Sequence, residues 1–182
     1  MSENIFVEKT IEKIKSTIRD VPDFPKEGIL FKDITPVLKD AEVFKDTIKA
    51  LAETLKDLKP DYIAGIESRG FILGAPLAYE LGVGFTLIRK KGKLPYKKKS
   101  VTYSLEYGTD TLEIHEDAVE KGKKVIIIDD LLATGGTALA SYNLLKDIGA
   151  DVLAVLFLVE LGFLKGRERL SACKVMSLIN YS

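Results

Sequence analysis

Two adjacent carboxylates, Asp129 and Asp130, follow four β-branched residues, Val125 to Ile128, and precede the small-residue stretch Ala133, Thr134, Gly135, Gly136 and Thr137. Small residues let backbone N–H groups approach a phosphate closely, and a helix opening there adds about half a unit of positive charge. Thr134 and Thr137 add hydroxyl donors. The carboxylates would repel that phosphate, and suit instead the hydroxyls of a sugar or a hydrated cation. A Gly-Gly turn or an acidic pair is common alone; the ordered combination of strand, acid pair and turn points to a sugar phosphate. No Gly-Lys-Ser/Thr occurs anywhere and the turn is not Gly-x-Gly-x-x-Gly, so Walker A and Rossmann readings lose their main support.

The elements that must position this segment read as an α/β fold. Apolar runs at Tyr62–Ile66, Phe85–Ile88, Lys124–Ile128 and Val152–Val159 lack alternation, as expected of strands covered on both faces. Helical patterns lie between them, one ending near Gly82 and one at Gly149, so the expected architecture is a doubly wound parallel sheet flanked by helices. Ligands of such sheets bind beyond the carboxyl ends of the strands, where the 125–137 segment belongs. A polar turn, Glu67, Ser68, Arg69 and Gly70, follows the first of these strands.

Other segments read differently. Ile11, Ile14 and Ile18 mark an amphipathic N-terminal helix, and the Pro-rich stretch after it, Val21 to Leu38, reads as ordered loop. Asp40 is the expected N-cap of a helix with Phe44, Ile48, Leu51 and Leu55 on its apolar stripe. Seven cationic side chains fall in the eleven positions from Arg89 to Lys99, broken by Gly92 and Pro95. Val101 to Glu106 and Thr111 to Ile114 alternate about Tyr107-Gly108, a hairpin signal; the whole reads as a mobile excursion from the sheet.

Composition narrows the function classes. In 182 residues, Lys+Arg and Asp+Glu both number 27, so nothing calls for a nucleic-acid or membrane partner. The single Cys173 cannot close an internal disulfide and the single His115 cannot build a histidine metal site. Cys173 reads as a small buried hydrophobe and His115 as a surface residue. No apolar run nears the roughly 20 residues of a membrane span, and the polar N-terminus is unlike a signal peptide, so the expected compartment is the cytoplasm.

At Val125–Thr137 the chain resembles the type I phosphoribosyltransferases and their motif for phosphoribosyl pyrophosphate (PRPP). The blocks PDFPKEGILFKDITPVL, DYIAGIESRGF, IRKKGKLP, YSLEYG and VELGFLKGRERL resemble, in order, those of the members that act on adenine. The resemblance implies a single domain, with an N-terminal helix and base-binding hood over residues 1–38 and a flexible lid over 90–114. It implies that adenine and PRPP give AMP and pyrophosphate in purine salvage, in a homodimer. Mg²⁺ would be held mainly through PRPP and pyrophosphate, with no dedicated protein ligands. Asp129 and Asp130 would take the ribose hydroxyls, and Ala133, Thr134, Gly135, Gly136 and Thr137 the 5′-phosphate. Ser68 and Arg69 would form the pyrophosphate loop, with a cis peptide at Glu67-Ser68, and Arg89 and Lys93 would flank it. Glu106 would lie beside the attacking base nitrogen, with Tyr107 in the same lid. Phe31 and Leu161 would sandwich the purine while Leu30 and Lys32 read its edge, Lys32 standing where relatives often carry arginine. A solvated face, with some electrostatic steering, is the expected role of Lys97, Lys98 and Lys99. The competing expectations are transfer to a 6-oxopurine (hypoxanthine, guanine or xanthine) and a PRPP-sensing regulator, which would need an output module for which there is no spare segment.

Overall fold

The computed structural model describes residues 2–105 and 108–182. They form two compact units, Met1–Thr54 and Leu55–Ser182.

In the first unit, α1 (Ser2–Thr17) buries Ile14 and is followed by an antiparallel ribbon, β1 (Arg19–Pro22) on β2 (Leu30–Asp33). The short α2 (Thr35–Lys39) carries Pro36 in its first turn, and α3 (Ala41–Leu55) comes next. The expected loop from Val21 to Leu38 thus contains most of a ribbon and a helical turn. Its prolines sit where they cost no ladder bond: Pro22 ends β1, Pro25 follows a cis bond in the connecting turn, and Pro36 opens α2. Asp40 caps α3 as expected, its Oδ1 accepting the N–H groups of Glu42 and Val43, each at 3.0 Å.

The second unit is a seven-stranded, mostly parallel sheet flanked by helices, in the order β5-β6-β4-β3-β7-β8-β9. Here β3 is Tyr62–Ile66, β4 Gly84–Lys90, β5 Lys98–Leu105, β6 Gly108–His115, β7 Lys124–Leu132, β8 Asp151–Leu161 and β9 Val175–Tyr181. Helix α4 (Arg69–Leu81) connects β3 to β4, and α5 (Gly136–Asp147) connects β7 to β8. Both end as their glycines foretold, at Gly82 (φ +66°) and just before Gly149 (φ +87°). Ile126, Ile127, Val155 and Leu156 are fully buried, each such side chain contributing about 1.5–3 kcal/mol.

Three features of this unit depart from expectation. The β5–β6 hairpin forms, but it joins the sheet: Arg89 and Lys90 of β4 pair antiparallel with Glu113 and Leu112 of β6. Strand β7 runs on through Leu132, because β8 continues beside it with Asp129 opposite Phe157 and Leu131 opposite Val159. And β9 completes the sheet where no strand was expected. No described helix is long and apolar enough to cross a membrane.

Candidate active site

The site grows from a mismatch of strand lengths. Pairing between β3 and β7 stops at Gly65 opposite Ile128, whereas β7 continues four residues further along β8. Beyond Ile128 one edge of β7 is therefore open, and Asp129 and Asp130 emerge there from within the strand. The first turn of α4 fills part of the gap: a β-carbon on Gly70 would stand 2.6 Å from the Ile128 carbonyl oxygen and 3.2 Å from Asp129 Oδ1. Only glycine lets the helix start so close to the acids.

Two hollows adjoin here, with Asp129 and Thr137 walling both. One is formed by the 131–138 turn with Phe157 beneath it, and the other by Glu67, Ser68, Arg69, Lys90 and Asp130. The structure thus brings together the acid pair, the Gly-rich turn and the Ser68-Arg69 turn. The Glu67-Ser68 peptide is cis.

Charge is distributed closely. Arg69 Nε donates to Asp130 Oδ2 at 2.5 Å, and the Asp130 N–H donates to Asp129 Oδ1 at 2.9 Å. Asp130 is buried while Asp129 is half-buried. Desolvation, and then the neighbouring charge of Asp130, push the Asp129 carboxyl well above the usual carboxylate range, against the pull of Arg69.

Around the second hollow, Glu67 accepts the Lys90 N–H at 2.9 Å and Arg89 Nε and Nη2 at 3.2 Å each. Burial opposes its ionisation, but these donors outweigh it and hold the Glu67 carboxyl below its usual range. Arg89 also donates to the Lys93 carbonyl, so its guanidinium is committed to supporting Glu67, and Lys90 joins Arg69 as the cations that line the hollow. Lys90 Nζ pairs with Asp110, Tyr103 Oη reaches the same carboxylate at 3.4 Å, and Tyr103 Oη meets Thr137 Oγ1 at 3.0 Å. This chain fastens the hairpin to the 133–137 turn. Sequence reading missed it, because Lys90 was one of seven cations and Tyr103 one of several alternating residues.

Other expected residues fall as follows. Lys98 is no solvated face: its Nζ donates to the buried Glu113 at 2.9 Å, which also accepts the Gly92 N–H. The ring of His115 meets Tyr96 edge-on and its Nε2 is buried, so the surface reading fails. Cys173 is half-buried against the core. In the first unit, Lys32 Nζ pairs with Asp20, directly opposite on the ribbon, at 2.6 Å. Phe31 meets Phe24 edge-on at 5.2 Å between ring centres, and Leu30 is exposed. Leu161 is the last residue of β8. Glu106 and Tyr107 lie outside the described residues.

Residues 36–179 match the phosphoribosyl transferase domain family. A curated relative, the adenine phosphoribosyltransferase of Thermoanaerobacter pseudethanolicus, is 57% identical over 172 residues, covering 94% of this chain and 99% of the relative. The chain belongs to the adenine phosphoribosyltransferase family. It is therefore a pentosyltransferase of purine salvage, and this membership favours adenine over the 6-oxopurine and regulator readings. The crystal structure of the T. pseudethanolicus adenine phosphoribosyltransferase superposes with a TM-score of 0.92, covering 94% of this chain and 99% of that one. The Saccharomyces cerevisiae adenine phosphoribosyltransferase, solved with an imino-altritol bisphosphate and adenine, is 42% identical with a TM-score of 0.89 over 94% and 99% of the two chains. The fold expected of the type I enzymes is thus the fold this chain has.

Proposed function

We propose that this chain performs its family's reaction with the residues of the two hollows in separate roles. Adenine N9 bonds to C1′ of PRPP, the bond from C1′ to the pyrophosphate oxygen breaks, and N9 loses its proton, giving AMP and pyrophosphate. The observation that most supports this division is the sharing of Asp129 and Thr137 between an amide-lined turn and a cation-lined hollow. A sugar carrying phosphate on one side and pyrophosphate on the other needs that pairing.

The amides and hydroxyls of Ala133, Thr134, Gly135, Gly136 and Thr137 hold the 5′-phosphate at the start of α5, where the helix dipole assists. Asp129 and Asp130 accept from the ribose hydroxyls, which fixes C1′ for in-line displacement. Ser68 and Arg69 bind the departing pyrophosphate, with Lys90 and Lys93 adding positive charge and Arg89 supporting the floor. Glu106 places negative charge beside N9, where a proton leaves as the sugar carbon becomes cationic, and Tyr107 belongs to the same lid, which excludes water. From family membership, Leu30, Phe31, Lys32 and Leu161 are the residues assigned to adenine, the Lys32 ammonium being held by Asp20. Residues 1–38 would act as the hood and 90–114 as the lid of a single functional domain.

Mg²⁺ fits these residues as a substrate-borne ion. Among the described residues no three His, Cys, Asp or Glu side chains are grouped to hold a metal alone. A hard cation that keeps waters and phosphate oxygens needs one or two carboxylates at most, and Asp129 and Asp130 are those beside the hollow. When bound, it neutralises charge on pyrophosphate. A homodimer in the cytoplasm completes the reading. The dimer is supported by the exposure of Ile72 at 43% and Tyr79 at 88%, seven residues apart on one face of α4.

The test is turnover with each base. AMP should form from adenine and PRPP, with no comparable nucleotide formed from hypoxanthine, guanine or xanthine. Turnover confined to a 6-oxopurine, or PRPP binding without turnover, would overturn the reading.

A further inference from the structure

The back of the 133–137 turn rests on bare backbone. A β-carbon on Gly166 would stand 2.2 Å from the Ala133 carbonyl oxygen, and one on Gly135 would stand 2.5 Å from the Gly166 carbonyl oxygen. Two glycines therefore meet with no side chain between them, and the position of Gly166 defines how far the turn can recede. Gly166 opens the second of two 3-10 turns, Gly162–Leu164 and Gly166–Leu170, and Leu170 at the end of the second is buried in the core.

The polar hold on that segment comes from the next residue, Arg167. Its Nε donates to Glu160 Oε1 at 2.6 Å and its Nη2 to Glu160 Oε2 at 2.7 Å, a bidentate fork on a carboxylate that is 3% exposed. Nη1 reaches the Val175 carbonyl at 2.7 Å and Nη2 reaches Ser177 Oγ at 3.0 Å, while Ser177 Oγ donates to Glu160 Oε2 at 2.6 Å. One guanidinium thus pins the segment to β8 and β9 together. Neither Arg167 nor Glu160 lines either hollow.

We propose that Glu160 and Arg167 are positioning residues for the 5′-phosphate, acting through Gly166 to fix the shape of the 133–137 turn. The inference rests on the phosphate assignment made above. Its consequence is selective: loosening the clamp lets the turn recede and lengthens its amide contacts to phosphate, while Leu161, beside Glu160 but paired within the sheet with Tyr181, is disturbed less. A clamp that served only folding would lower the amount of active enzyme and leave every KM alone.

Arg167→Lys keeps the charge but loses the planar fork, and the double variant E160Q/R167M removes both charges so that neither is buried unpaired. Steady-state kinetics with PRPP and adenine varied separately, AMP binding by calorimetry and a thermal melt are measured on both variants and the wild type. The PRPP KM and the AMP Kd are each expected to rise about tenfold in any variant that melts cooperatively, with the adenine KM changed less than about twofold. Unchanged PRPP KM and AMP Kd, or equal effects on both substrates, would overturn the clamp. If both variants fail to fold, slower amide hydrogen exchange at Gly135 and Gly136 than at exposed turns of the wild type sustains it, and equally fast exchange overturns it. Absence of AMP formation by the wild type would instead count against the functional reading.

Discussion

Gly135→Ala is expected to lower kcat/KM for PRPP by roughly 10²–10³ while the protein still folds, because a 1 Å misplacement at a binding turn costs about 10² in rate. Two constraints meet at this residue. Its φ of +82° is left-handed backbone that alanine adopts only under strain, and its added β-carbon would stand 2.5 Å from the Gly166 carbonyl oxygen. The obstacle is backbone on both sides, so no side chain can rotate away. The turn must move, and with it the amides proposed to hold the phosphate. The stability cost is of order 1–3 kcal/mol, the strain of one disfavoured residue, which a domain of ordinary stability survives. Kinetics together with AMP titration check this, and unchanged affinity for both phosphorylated ligands would contradict it.

Asp129→Asn is expected to stabilise the ligand-free protein while lowering kcat/KM by roughly 10², about the loss when one transition-state contact is removed. Desolvation and the charge of Asp130 make ionised Asp129 unfavourable in the folded chain, and Arg69 offsets only part of this. Its folded pKa lies above its unfolded one, so the folded state binds the proton more tightly. Stability then falls as pH rises from the ordinary aspartate value of about 3.9 up to the raised one, and stays lowered above it. The amide carries no such penalty, but it offers a donor where the proposed contact to a ribose hydroxyl needs an acceptor. The melting temperature of the variant should therefore exceed that of the wild type by a gap that is small near pH 4, widens with pH and then levels off. Each kcal/mol of that gap corresponds to roughly 2–4 °C in a chain of this size. A variant less stable than wild type at neutral pH, or a gap independent of pH, would show that the acid pair stores no such cost.

These effects also mark what local sequence reveals. The strand at Val125–Ile128, the Asp40 cap and the helix ends at Gly82 and Gly149 were legible because each depends on residues within one or two turns of itself. The acid pair and the Gly-rich turn stood out as a candidate site for the same reason, and the antiparallel pairing of β5 with β6 was legible too. What escaped depends on partners far along the chain. The extension of β7 through Asp129 and Asp130 exists because β8 lies beside it. The docking of the hairpin on β4 needs Glu113 opposite Arg89. Lys98 looked solvated because its partner, Glu113, is 15 residues away, and the Arg167 fork carried no local signal because Glu160, Val175 and Ser177 come from two strands. Charged side chains read poorly from sequence because their energetics depend on whether a counter-charge is present at the same depth.

The central claim, that the turn after β7 grips the phosphate while the paired acids hold the sugar, is tested most directly by a crystal structure with AMP bound. The account predicts phosphate oxygens within hydrogen-bond distance of the backbone amides of residues 134–137 and both ribose hydroxyls on Asp129 and Asp130. A phosphate bound elsewhere, with that turn empty and the two carboxylates free of the sugar, would contradict it.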